Sequence, residues 1–283
     1  MPEKATPQQL LASTARWTAA VRARESLRED RLFQDPWAAT LAGKEGQEWI
    51  EHRSDDSVVA MVLRTRFFDD FLQRIANQYA IKQILLMAAG LDTRAYRLTW
   101  PAQTRLFELD QSPVLHYKDQ VLASVSAQPN CVRHTIAVNL TGQWKETLIK
   151  AGFNPQQPSA WLLEGFLFYL PNESITNIFD EITELAAPAS WVGFDIINSI
   201  MLTSPWTRQW IEMQAQAGAP WIGTMDDPEE FLIKRGWRAT LTQLGEDDAN
   251  FKRWPYPVLP SAMPDMPRNW FVTAHKEEPG TGA

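Results

Sequence analysis

Gln83-Ile84-Leu85-Leu86-Met87-Ala88-Ala89-Gly90-Leu91-Asp92-Thr93-Arg94 is a short apolar run that ends in small residues and a glycine before turning polar. The run is too short for a helix and is flanked as a buried parallel strand would be. Ala88, Ala89 and Gly90 remove bulk where the chain turns, so backbone can approach a ligand closely. Downstream, Arg105-Leu106-Phe107 reads as a second short strand, ending in the acidic residues Glu108 and Asp110. An acidic side chain roughly 20 residues beyond a glycine turn is the usual partner of a ribose hydroxyl in nucleotide-binding βαβ units. Gly90 and Asp110 have that spacing. The pair predicts a nucleoside-containing cofactor laid across the carboxyl ends of the first two strands. The alternative is a structural turn, because small residues also follow apolar strands in α/β domains that bind nothing there.

Outward from this stretch the pattern alternates. Strands are expected at 83–87, 105–108, 132–138, 160–163 and 190–197, separated by helices around 93–98, 113–124, 143–151 and 173–186. Alternating strand and helix imply a parallel sheet with right-handed crossovers and helices on both faces. Trp237-Arg238-Ala239-Thr240-Leu241 and Asn269-Trp270-Phe271-Val272-Thr273-Ala274 read as two last strands, an antiparallel pair at one edge. Between them, five prolines from Pro255 to Pro267 mark a long loop.

Upstream, residues 1 to about 9 are polar and expected to fray. A helix begins at Gln8, where Leu10, Leu11, Thr14, Trp17, Ala20 and Val21 recur at helical spacing. Asp35 before Pro36 suggests a cap with proline at the first helical position, starting a short helix that ends at Gly43. A third helix is expected over 57–77. Arg64 lies on its largely apolar face, where it is either a snorkelling surface residue or an inward anion clamp. Spacing alone favours the surface reading. The segment 199–225 carries Met201, Trp206, Trp210, Met213 and Trp221, and reads as a helical insertion: a helix packed on the sheet, or a wall over a substrate pocket. A helix with Pro228 at its first position follows Asp227, and residues 276–283 read as a loose tail. One domain is predicted: a helical cap (1–77), a βαβ core (78–198), a helical insertion (199–235) and C-terminal strands (236–275).

Composition narrows the classes. With 283 residues, 45% hydrophobic and 22% charged, the chain has the makings of a substantial core. A net charge of −7, with no run of Lys and Arg, argues against a nucleic-acid partner. The single cysteine, Cys131, excludes an intrachain disulfide and a Cys-based metal cluster, and its apolar setting suggests a buried structural thiol. No signal peptide or apolar run near 18 residues is visible, so a cytoplasmic protein without a membrane partner is expected. Thirteen tryptophans point to aromatic packing or an aromatic pocket.

Five segments, taken together, resemble the leucine carboxyl methyltransferase family, and most of all its bacterial branch of S-adenosyl-L-methionine-dependent O-methyltransferases. They are Ala23-Arg24-Glu25-Ser26 with Leu32-Phe33-Gln34-Asp35-Pro36-Trp37-Ala38; Arg64-Thr65-Arg66-Phe67-Phe68-Asp69-Asp70; Ala89-Gly90-Leu91-Asp92-Thr93-Arg94-Ala95-Tyr96-Arg97-Leu98; Phe107-Glu108-Leu109-Asp110-Gln111-Ser112-Pro113; and Trp161-Leu162-Leu163-Glu164-Gly165-Phe166-Leu167-Phe168-Tyr169-Leu170-Pro171. They run in order over about two-thirds of the chain. The resemblance implies a class I Rossmann-like methyltransferase fold, with a seven-stranded, mostly parallel sheet, and S-adenosyl-L-methionine as cofactor. It reverses the reading of Arg64, which would grip the carboxylate of the cofactor's methionine part. It places Ala88, Ala89 and Gly90 beneath the cofactor, Asp110 on the ribose with Glu108 as second choice, Asn139 and Leu140 at the adenine, and Glu164 at the methionine end with Tyr169 nearby. Two departures stand out. Ala88 takes a position where the family usually has glycine, and Asn139 one where it usually has aspartate. The Asn139 carbonyl oxygen would still accept from the adenine amino group.

A carboxylate acceptor is ionised at neutral pH and needs no base, whereas a hydroxyl needs one, and His116, Tyr169 and Glu164 are the candidates. His52, His134 and His275 read as structural or surface residues. No Asp/Asn cluster suggests Mg²⁺, so no metal is expected. The expected function is methylation of a carboxylate or hydroxyl of a small molecule in secondary metabolism. The rivals are a protein or peptide C-terminal carboxyl methyltransferase, which needs a groove open at the surface, and a non-catalytic binding module. An NAD-dependent dehydrogenase loses because no full G-x-G-x-x-G follows the first strand.

Overall fold

The computed structural model describes residues 7–51 and 55–277. His52, the first six residues and the tail beyond 277 lie outside the described residues. Three helices come first: α1 (Pro7–Ser26), α2 (Ala38–Glu51) and α3 (Asp55–Gln78). The core then alternates β1 (Gln83–Met87), α4 (Arg94–Arg97), β2 (Arg105–Asp110), α5 (Ser112–Ser124), β3 (Val132–Ala137), α6 (Lys145–Lys150), β4 (Ser159–Leu163), α7 (Asn172–Leu185) and β5 (Trp191–Ile197). Two short helices follow, α8 (Ile200–Thr203) and α9 (Arg208–Gln216), then α10 (Pro228–Ile233), β6 (Trp237–Gln243), α11 (Asp247–Asn250) and β7 (Asn269–Lys276).

The seven strands form one sheet in the order β3-β2-β1-β4-β5-β7-β6. The first five are parallel, and β7 runs antiparallel to both β5 and β6. All five residues of β1 are buried, as a central strand covered on both faces requires. Its side chains alternate between two cores. Leu85 and Met87 join Phe107, Leu109, Trp161 and Leu163 and the apolar face of α7. Ile84 and Leu86 join Leu106, Ala160 and Leu162, against Phe68, Phe71, Leu72 and Ile75 of α3. The period of two in the strands and the helical spacing in α3 are therefore satisfied by the same contact.

Most strands and helices fall where the residue pattern puts them. Asp227 caps α10 by accepting from the Glu230 N–H at 2.8 Å, with Pro228 at the first helical position. The start of α2 departs from expectation. Asp35 and Pro36 precede it, Asp35 Oδ1 accepts from Trp37 N at 3.2 Å, and helix begins at Ala38. Gly43 is not its end but a break in the left-handed region (φ 59°), beyond which helical turns continue to Glu51. Lys276, the first residue of the expected tail, is held in β7, and the stretch beyond 277 lies outside the described residues. The proline loop is folded back by Arg268, which donates to the carbonyls of Leu259, Pro260 and Met263. Cys131 is half-buried just before β3, and burial pushes its thiol up to about 12.

Candidate functional site

The strand order reverses between β1 and β4, and such a switch point opens a crevice at the carboxyl ends of the strands. A cavity of about 330 Å³ lies there, within the range of small-molecule sites. Its floor is Ala88, Ala89 and Gly90. The turn is fixed from both sides: Ala89 N donates to Leu109 O at 3.1 Å, and Asp92 N to Ala89 O at 2.9 Å. Ala88 and Gly90 both have positive φ, 54° and 51°. Glycine suits that conformation, while alanine carries steric strain there. A Cβ on Gly90 would sit 3.5 Å from that of Ala15, so α1 closes over the floor.

Asp110 ends β2 at the rim of the cavity. Its carboxylate accepts from Gly90 N at 2.7 Å and from Gln111 N at 2.6 Å. Burial raises its carboxyl above the usual range, and these two N–H donors work against that rise. Glu108 does not share the site. It stands two residues further back in β2, roughly 7 Å along the strand, where its carboxylate is enclosed between α5 and β3. There it pairs with Lys118 and Arg133, both at 2.7 Å, and is absent from the cavity wall. Spacing could not separate the two acids, since both point to the same face of the strand.

Arg64 reaches inward from α3, contrary to the surface reading. Its Nε meets Glu164 at 3.1 Å and its Nη1 meets Asp195 at 2.9 Å. Gly165, at φ 67°, makes room: a Cβ there would lie 3.0 Å from Arg64 Nη2. Burial lowers the tendency of this guanidinium to stay charged, but Asp195 and Glu164 outweigh it and raise its pKa. Asp195, fully buried near the end of β5, also accepts from Gly165 N at 2.6 Å. Sequence reasoning missed it. A single acid inside the apolar strand Trp191-Val192-Gly193-Phe194-Asp195-Ile196-Ile197 was the available signal.

Behind this pair the charges continue. Arg94 meets Asp69 at 2.6 Å, Asp92 at 2.5 Å and Glu164 at 2.7 Å. Arg97 holds Asp69 at 2.5 Å, and Arg22 of α1 holds Asp35 at 2.8 Å. Thr93 adds a hydroxyl to Asp35 at 2.5 Å. Burial alone would raise the Asp92 carboxyl, but Arg94 and three further cations outweigh it and hold it at about 2. Glu164 Oε2 is enclosed in the cavity wall against Arg94, its ion-pair partner at 2.7 Å.

Beyond β3, Asn139 and Leu140 also line the cavity. The Asn139 carbonyl oxygen is already in use, accepting from Thr141 N at 3.1 Å and Thr141 Oγ1 at 2.9 Å. An Asx-type turn thus leaves the amide NH₂ as the group to offer a ligand, which corrects the expected carbonyl contact. Tyr169 is in the wall, and burial pushes its hydroxyl pKa up. His116 is not in the wall. It is exposed on α5, because the buried residues of that helix are Val114, Leu115, Lys118 and Leu122. The insertion contributes Gln214 of α9 and Trp221, with Trp221 packed on Phe168 at 4.0 Å and on Trp210 at 4.1 Å. It is a wall of the cavity as well as packing on the sheet.

This sheet order, with its antiparallel β7 and its cavity at the switch point, defines a class I Rossmann-like methyltransferase fold. Residues 15–183 match the model of the leucine carboxyl methyltransferase family. A relative from Saccharopolyspora erythraea, described as "Putative S-adenosyl-L-methionine-dependent methyltransferase", is 38% identical over 260 residues, covering 85% of this chain and 88% of its own. Among solved structures, a DUF574 family protein from Streptomyces avermitilis superposes with a TM-score of 0.59 at 13% identity, over 91% of this chain and 96% of its own. A "putative methyltransferase" from Thermobifida fusca gives 0.58 at 15% identity, over 93% and 94%. The chain belongs to the leucine carboxyl methyltransferase family and is an S-adenosyl-L-methionine-dependent methyltransferase.

Proposed function

We propose that the protein transfers the methyl group to an oxygen, carboxylate or hydroxyl, of a small molecule in secondary metabolism, working in the cytoplasm. The observation that carries this reading is the walling of the cavity from opposite sides. Arg22, Arg64 and Trp17 come from the helical cap, and Tyr169, Gln214 and Trp221 from beyond β4. Such enclosure suits a small acceptor better than a protein terminus, which needs a groove open at the surface. Cap, core, insertion and C-terminal strands are proposed to act as one domain around this cavity.

The residues present fit the cofactor. The small-residue floor admits close approach, and Asp110 offers ribose hydroxyls a carboxylate already anchored by two N–H groups. Leu140 and the Asn139 amide would hold the adenine. Arg64 would take the methionine carboxylate through Nη2, the guanidinium nitrogen not committed to Glu164 and Asp195, and the Glu164 carboxylate would face the ammonium. The cofactor supplies an activated methyl on a positively charged sulfur, so alignment and exclusion of water are the main tasks left to the chain. Glu164 and Tyr169 are the groups placed to orient an acceptor or hold its proton. Calorimetry with S-adenosyl-L-methionine and S-adenosylhomocysteine tests the assignment, and absence of binding by both would sink it. Radiolabelled S-adenosyl-L-methionine with fractionated metabolite extract then reads the acceptor: label on protein termini instead of small molecules would favour the peptide carboxyl alternative.

A further inference from the structure

What holds Arg64 in place deepens the reading just given and rests on it. Strand geometry aims Asp195 at that task. In β5, Val192, Phe194 and Ile196 point into the core beneath α7, so Asp195 faces α3 on the other side of the sheet. Gly193, on the same face as Asp195, lets α3 approach: a Cβ there would meet Phe71 at 2.8 Å and Phe68 at 3.3 Å. Arg64 stands one helical turn before Phe68, which brings its guanidinium within reach of Asp195.

A carboxylate fully buried in an interior strand gains little stability even when it is paired. Its distinctive contribution is geometric, because a carboxylate accepts at both ends. Oδ2 accepts from Arg64 Nη1 at 2.9 Å, and Oδ1 accepts from the Gly165 N–H at 2.6 Å. One side chain thereby ties α3 to the turn that carries Glu164. Glu164 is shared between Arg64 and Arg94, whereas Asp195 has no second cation among the described residues. The guanidinium lies against the turn: a Cβ on Gly165 would sit 3.0 Å from Nη2 and 3.2 Å from Nη1. With Nε and Nη1 committed, Nη2 is the nitrogen without a hydrogen bond among the described residues. The proposed adenosine contacts are remote from this arrangement. Asp110 ends β2, three strands away from β5, or roughly 14 Å across the sheet.

We propose that Asp195 is a positioning residue for the amino-acid end of the cofactor. By fixing Arg64 and the Gly165 turn together, it presents Nη2 to the ligand carboxylate, and the adenosine end does not depend on it. Calorimetry with two ligands separates this role from a merely structural one. S-adenosylhomocysteine has the amino-acid end; 5′-methylthioadenosine carries the same adenosine and sulfur without it. Asp195→Asn keeps the shape of the side chain, but its NH₂ must oppose one of the two N–H donors. The variant should bind S-adenosylhomocysteine at least tenfold more weakly, while 5′-methylthioadenosine affinity stays within twofold, which also shows that the variant is folded. A smaller loss, or a loss shared by both ligands, overturns the proposal. If Asp195→Asn fails to fold, Gly165→Ala takes its place: a methyl pressed on the guanidinium that Asp195 fixes should give the same selective loss, and unchanged or unselective binding counts against the proposal. In the unmodified protein, S-adenosylhomocysteine binding no tighter than 5′-methylthioadenosine would strike the Arg64 assignment, and the proposal with it. Failure of both ligands to bind would strike the cofactor site as a whole.

Discussion

At the residue scale the most telling position is Ala88. It adopts a left-handed conformation that costs an ordinary L-residue about 1–2 kcal/mol, more than the 0.4–1 kcal/mol that glycine's extra freedom in the unfolded chain would forfeit. Ala88→Gly should therefore stabilise the protein by about 0.5–1 kcal/mol, read as a higher midpoint in urea denaturation; a lower midpoint would mean that the methyl makes contacts worth more than its strain. Glu108 teaches the complementary lesson. Its carboxylate compensates the fully buried Lys118 and is remote from the cavity wall. Glu108→Gln should cost about 3 kcal/mol of stability, because it leaves a buried ammonium poorly compensated. The folded fraction should bind S-adenosylhomocysteine as before, and a large loss of affinity would return Glu108 to the site.

Between elements, the ion network ties together parts of the chain that have no reason of local sequence to meet. Arg22 of α1, Asp69 of α3, Asp92 and Arg94 after β1, and Glu164 after β4 converge behind the cavity floor. The network has a pH signature. Asp92 is held at about 2, below its ordinary 3.8. A depressed folded-state pKa contributes stability that is complete above the unfolded value and is lost as pH falls through the folded one. The contribution is about 2 kcal/mol, lost between about pH 4 and pH 2. Asp92→Asn should thus be less stable than the parent by about 2 kcal/mol at pH 7, with the gap closing toward pH 2. Urea titrations across that range check it, and a gap that does not shrink with acid would remove Asp92 from the account.

For the whole molecule, one sheet with a core on each face carries the cavity at the carboxyl ends of its strands, so ligand binding should couple to global unfolding. S-adenosylhomocysteine at a hundred times its Kd should stabilise the folded state by about 2.7 kcal/mol and raise Tm by several degrees in a scanning calorimeter. A local effect with no shift in the global transition would show that the cavity opens separately from the core.

Hydrophobic period determined the βαβ alternation, the buried β1 and the existence of two end strands, because these depend on which faces must leave water. The glycine turn and the acid beside it were legible for the same local reason: a turn needs small residues, and Asp110, twenty residues on, accepts from the Gly90 N–H. Tertiary structure decided what spacing leaves equal. Arg64 points inward only because Glu164 and Asp195, 100 and 131 residues away, wait for it. Glu108 is withdrawn from the cavity by Lys118 and Arg133, His116 is turned to solvent by the packing of α5, and Gln214 is aimed at the cavity by a segment whose own pattern fits simple packing equally well. A charged or polar side chain takes its role from the partner that compensates it, and that partner is chosen by the fold, not by the neighbouring sequence.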